Sequence, residues 1–137
     1  MTDSELQAVT HRIVKEHYTK GALILKEGDP TRGIYLVVKG KVEVSKITPD
    51  GWKQTLAVLQ AHHFFGELSV IEDRKSHSAD VTAIEDAEVL LIKKDDLRLF
   101  EEKEPAMMYK IMRAIARTAS RNIRSMNEKL MKVLISY

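Results

Sequence analysis

Cysteine is absent from this 137-residue chain. Its absence excludes disulfides, thiolate metal sites and cysteine nucleophiles together. No stretch approaches the roughly 18 consecutive apolar residues of a membrane-spanning helix. The opening Met1-Thr2-Asp3-Ser4-Glu5-Leu6-Gln7 is acidic, where a secretory leader would carry an apolar segment. A cytoplasmic location is therefore expected. Repeats and low-complexity linkers are also lacking, so the chain reads as one domain, large enough to bury a core. No constellation of catalytic groups stands out, because Ser69, His77 and Asp80 form no triad in any known order. The adjacent pair His62-His63 has neither cysteine nor paired carboxylates at ligand spacing, so no metal, haem or other cofactor is expected.

What is present is unevenly charged. The net charge is +2, yet residues 106–137 carry seven Lys/Arg against the one acid Glu128. The rest of the chain holds 15 basic and 19 acidic residues. An acidic body thus carries a basic tail. Within that tail Arg113, Arg117, Arg121 and Arg124 recur at steps of four, four and three, which places them on one helical face. Such a stripe is either the solvated back of a packed helix or a surface for a phosphate-rich partner.

Asp3 or Ser4 can cap a first helix running to about Lys15, with Leu6, Val9, Ile13 and Val14 on one side. Six short runs rich in Val, Ile and Leu then read as strands: 22–26, 34–38, 41–47, 53–59, 79–84 and 87–93. Turn residues such as Gly28-Asp29-Pro30, Lys39-Gly40 and Asp50-Gly51 separate them. The alternation Lys41-Val42-Glu43-Val44-Ser45 predicts Val42 and Val44 inside, with Lys41, Glu43 and Ser45 in water. Residues 95–100 read as a short helix, and Pro105 suits the first position of a last one. Met108, Ile111, Ile115, Ala119, Met126, Leu130, Leu134 and Tyr137 give that last helix an apolar stripe with no evident partner in so small a body. A second copy of the chain is the expected partner. Strands followed by helices, with frequent turn glycines, predict an α+β, mainly β protein: an antiparallel β-roll or barrel flanked by helices.

One stretch carries most of the chemistry. Phe65-Gly66-Glu67-Leu68-Ser69-Val70 is followed, ten residues after Glu67, by His77-Ser78-Ala79-Asp80-Val81. A glycine and a glutamate at the mouth of a short helical turn suit a ribose joined to a phosphate. Glycine lets backbone approach a ligand, amides at a helix start face an anion, and a carboxylate accepts from a sugar hydroxyl. The bland alternative is a turn whose glutamate only caps a neighbouring helix or pairs with Arg74 or Lys75.

These residues, with Lys20-Gly21-Ala22-Leu23-Ile24-Leu25-Lys26-Glu27-Gly28-Asp29, Ile34–Val44 and Ala87–Ile92, resemble the cyclic nucleotide-binding domain family over roughly residues 5–120. The resemblance implies a jelly-roll-like antiparallel β-roll (19–94) with an N-terminal helical segment (1–18), a short cassette helix and long C-terminal dimerisation helices (95–137). It further implies a regulatory sensor, not an enzyme, that binds cyclic AMP, cyclic GMP or a related phosphorylated small molecule and signals through its last helix to a homodimer partner or a separate effector. By that resemblance Gly66 opens the cassette, the amides of Leu68 and Ser69 bind phosphate, and Glu67 holds the ribose 2′-hydroxyl. Ser78 stands beside the phosphate, and Asn122 and Ser125 occupy places that reach the base. Where the family has its phosphate-binding arginine, this chain has His77, which implies weaker binding. The family's transcription factors carry a further helix-turn-helix of about 70 residues, and the sequence in hand does not, which suggests a stand-alone sensor or adaptor. A ligand-free interaction scaffold is the other reading.

Overall fold

A computed structural model describes residues 11–135, apart from the side chains of Leu68 and of part of the last helix, Asn122 and Ser125 among them. Eight strands form two four-stranded antiparallel sheets. The first has the order β1 (Ile13–Tyr18), β8 (Ala87–Lys93), β3 (Gly33–Lys39), β6 (Phe64–Phe65). The second has the order β2 (Leu23–Leu25), β7 (Asp80–Ala83), β4 (Val42–Ile47), β5 (Lys53–Leu59). Three helices complete the described residues: α1 (Glu67–Ile71), α2 (Lys94–Lys103) and α3 (Pro105–Ile135). This is the expected antiparallel β-roll with a long C-terminal helix.

The sheets differ in sequence character because they differ in cover. In the first sheet, successive residues enter two different cores. Tyr35, Phe65 and Leu91 face the second sheet, whereas their neighbours Ile34, Phe64 and Ile92 meet α2 and α3. Both faces are therefore dry, which explains the unbroken apolar runs in β3 and β8. The second sheet has one wet face, and its strands alternate. Val42 is buried as expected and Val44 packs against the core. Ser45 departs from expectation, since it is buried. It lies opposite Asp80, whose carboxylate accepts the Glu27 N–H at 2.7 Å, and the β4–β5 ladder shifts register between Val44 and Ser45.

The N-terminal expectation needs correction. Residues 1–10 lie outside the described residues, but Ile13–Lys15 belong to a strand and not to a helix reaching Lys15. The strand pairs with β8 over six residues, and the roll starts at Ile13 instead of residue 19. A Lys15–Glu88 ion pair at 2.6 Å flanks the ladder. Arg12 then ties this end to α2 through Asp96 at 2.8 Å.

The β4–β5 hairpin turns at Thr48–Trp52. The Thr48 N–H donates to Trp52 O at 2.8 Å and the Gly51 N–H to Thr48 O at 2.9 Å, leaving Trp52 exposed. Helix α2 places Asp95 and Asp96 in its first turn, where the helix dipole favours negative charge. It ends at Glu104, whose φ of −135° and ψ of 59° leave the helical region before Pro105 opens α3. At 31 residues, α3 is about 46 Å long. Its first turns do have a partner within the body: Met107, Ile111 and Ile115 are buried against Ile34, Leu97 and Phe100. Farther along, Arg117, Arg121, Arg124, Glu128, Met131 and Lys132 are exposed. The arginine stripe is thus an exposed face.

Candidate functional site

The cassette is held from both sides. Gly66 leaves β6 with φ of +78°, a conformation that side chains resist. A Cβ there would meet Gly33 O at 3.0 Å, His77 Cε1 at 3.3 Å and Tyr35 Cδ2 at 3.4 Å. Tyr35 itself stacks on Phe65 with ring centroids 4.7 Å apart. Helix α1 begins at once with Glu67, and Ser69 behind it is buried. The first amides of any helix have no acceptor within it.

Glu67 is half-buried, and among the described residues no cation pairs with it. Burial pushes its carboxyl pKa up, opposed by its own backbone N–H. Ser78 is also half-buried, at the end of the returning loop.

His77 is committed to the protein. Its N–H donates to Asp29 O at 2.9 Å and its carbonyl accepts from the Gly28 N–H at 2.9 Å. Together with Thr31 N–H to Lys75 O at 3.0 Å, these bonds lace residues 75–77 to residues 28–31. The ring is buried, and Nε2 accepts from the Arg32 N–H at 3.3 Å. Accepting at Nε2 leaves the proton of the neutral ring on Nδ1. Burial holds the His77 pKa below its ordinary value, with Asp29 opposing and Arg32 reinforcing.

A histidine whose folded pKa is depressed contributes stability that is complete above the unfolded value, about 6.5. This contribution is lost as pH falls from there through the folded value. Glu67 has the opposite sign: its raised pKa favours the folded state below about 4.5 and ceases to do so as pH rises through the folded value. Thermal melts of the chain between pH 7 and 5 should therefore fall more steeply than those of His77→Gln. Parallel curves would show that the ring is not buried neutral.

The other cations near the cassette are engaged or face elsewhere. The Arg32 guanidinium donates to the Tyr35 hydroxyl at 3.0 Å and pairs with Glu16 at 3.1 Å. Burial pushes Tyr35 up to about 12, so this hydroxyl stays neutral. Arg74 pairs with Glu72 at 2.6 Å, and Arg74 and Lys75 line a cavity bordered by α1, α2 and α3. Asp80 is engaged by Glu27, so its carboxylate serves the β2–β3 turn. Gly66, Glu67, Ser69, His77 and Ser78 thus lie on one continuous cassette and its returning loop, while the side chains of Leu68, Asn122 and Ser125 lie outside the described residues. Sequence reading missed the Arg32–His77 bond, which joins residues 45 apart. It also missed the cavity. No group of three or more metal-ligating side chains occurs among the described residues.

A two-sheet antiparallel roll, a glycine-led cassette helix and a long C-terminal helix packed on the roll define a small-molecule-binding regulatory domain. The family profile described as cyclic nucleotide-binding domain matches residues 15–104, and the chain belongs to that family. Among its relatives is a CRP-like cAMP-activated global transcriptional regulator of Mycobacterium tuberculosis. It is 26% identical over 118 residues, covering 86% of this chain and 52% of the relative. The cyclic AMP receptor protein of Thermus thermophilus is 32% identical over 100 residues, covering 73% and 46%. The chain thus spans about half the length of these curated relatives. Among solved structures, a cyclic nucleotide-binding domain from Methylobacillus flagellatus shares the fold at a TM-score of 0.84. Its identity is 22%, over 96% of this chain and 74% of that one. The Thermus thermophilus catabolite activator protein superposes with a TM-score of 0.73 at 26% identity, over 97% and 60%. No helix among the described residues is long and apolar enough to cross a membrane.

Proposed function

We propose that the roll is a non-catalytic sensor for a cyclic nucleotide, cyclic AMP or cyclic GMP, and binds it weakly. In this reading the N–H groups of Leu68 and Ser69 take the phosphate, Ser78 stands beside it, and Glu67 accepts from the ribose hydroxyl. Asn122 contacts the base. Binding shifts α3 against the roll and changes what a second copy or a separate effector chain meets. A ligand moves that equilibrium only by its differential affinity for the two arrangements, so weak binding makes a weak switch.

The observation that carries this reading is Glu67. A half-buried carboxylate without a cation is costly to keep desolvated. Hydroxyl donors from a sugar offset that cost. Calorimetry of the chain with each nucleotide is the test, alongside Glu67→Ala. A hydrogen bond to a charged group contributes about 1.5–3 kcal/mol, so the variant should lose roughly ten- to a hundredfold in affinity. Equal binding by both proteins would remove Glu67 from the site. The scaffold reading is favoured by one fact, that His77 already holds Arg32. Its signature is the absence of heat and of any melting shift with either nucleotide.

A further inference from the structure

Residues of α1, α2 and α3 line an open cavity of about 550 Å³, with Thr31 and the buried Ser69 of the cassette among them. That size falls within the range of small-molecule sites, roughly 300–1,000 Å³. Its floor is apolar: Val70 from α1, the buried Leu97 from α2, and Met108 with Met112 from α3. Unbranched methionines repack around different guests, which suits an adaptable apolar floor.

The rim is charged with a bias. Lys94, Leu97, Arg98 and Glu101 fall on one face of α2 at helical spacing, so two cations border the cavity on either side of Leu97 along the helix. Lys75 joins them from the cassette loop. Among the described residues none of these three cations forms an ion pair, and Lys94 is half-buried. Arg74 also lines the cavity but is held by Glu72. The carboxylates facing the same space are Asp73 and Glu101. Three unpaired cations therefore oppose two carboxylates above an apolar floor.

We infer that this cavity is a second binding site, for a small organic anion with an apolar body, a carboxylate or a phosphate monoester. Its occupant touches α1, α2 and α3 at once, so it sets how the cassette and the long helix sit relative to each other. The inference does not rest on what binds inside the roll, although Ser69 borders both places.

The test uses the whole chain with octanoate and octyl phosphate, which separate the two head groups, and with octylammonium as the charge-reversed control. Methyl NMR should show the Met108 and Met112 signals moving with saturation for at least one anion and not for octylammonium. The Lys94→Gln/Arg98→Gln double variant alters side chains at the cavity rim and should weaken that anion at least tenfold by calorimetry. Retained circular dichroism would show the variant folded. If it does not fold, the methyl response of the unaltered chain decides alone. Methionine signals that stay still with both anions, equal binding of octylammonium, or full affinity in the double variant would each overturn the site.

Discussion

Replacing Gly33 by alanine is expected to lower the urea midpoint severely or abolish folding. An added Cβ would lie 2.1 Å from Ile92 O and 2.8 Å from Lys93 Cα. Both atoms are backbone of β8, and neither can swing aside as a flexible side chain would. Gly33 pairs with Lys93 at the start of the β3–β8 ladder, which runs through the middle of the first sheet. Relief requires β3 to part from β8, which strains a close-packed core by about 1–3 kcal/mol or more. Each ladder hydrogen bond lost adds about 1 kcal/mol. A total of several kcal/mol is a large share of the roughly 5–15 kcal/mol that holds a domain together. An unchanged midpoint would mean that the two strands are not in such close approach.

The second large effect concerns the position that departs from the family pattern. His77→Arg should raise affinity for cyclic AMP by roughly ten- to several-hundredfold. The gain is that of a charge-assisted contact to phosphate, about 1.5–3 kcal/mol for each bond formed. It comes with a loss. The Arg32 N–H would surrender its acceptor at Nε2, and because Arg32 is an exposed residue the cost falls at or below the about 1–3 kcal/mol of an unsatisfied buried donor. The variant should therefore bind more tightly and melt lower. Calorimetry and denaturation of the same preparation check both halves. Unchanged affinity would show that position 77 does not reach the ligand. If, in addition, neither nucleotide binds the variant at millimolar concentration, the roll is not a nucleotide site.

Much of this fold was legible because strands and turns leave local marks. The runs at 53–59 and 87–93 match β5 and β8 residue for residue. What escaped was non-local. In the sequence Ile13 and Val14 read as helical because Leu6 and Val9 precede them at helical spacing. Their branched side chains favour the strand that β8 makes available. Strand β6 has two residues, too few to show a period. Ser45 is buried where water is expected, at a point where the β4–β5 ladder shifts register between Val44 and Ser45, an irregularity that the alternation of one strand does not show. In the site, Gly66 and Glu67 were readable as a local motif. The commitment of His77 was not, because its partner comes from a distant turn. The cavity floor draws on three helices, and no one stretch of sequence shows it.

The anchoring of α3 has a mechanical consequence. Among the described residues Ile115 is the last of α3 in the buried core, and the helix continues to Ile135, roughly 30 Å farther. A tilt of about 5° at the gripped end would carry the far end about 2.6 Å sideways, if the helix moves as a rod of that length. Such a displacement is about half the pitch of one helical turn. With the pivot near Ile115, a shift of about 1 Å beside Met107, about 12 Å back along the helix, corresponds to that tilt.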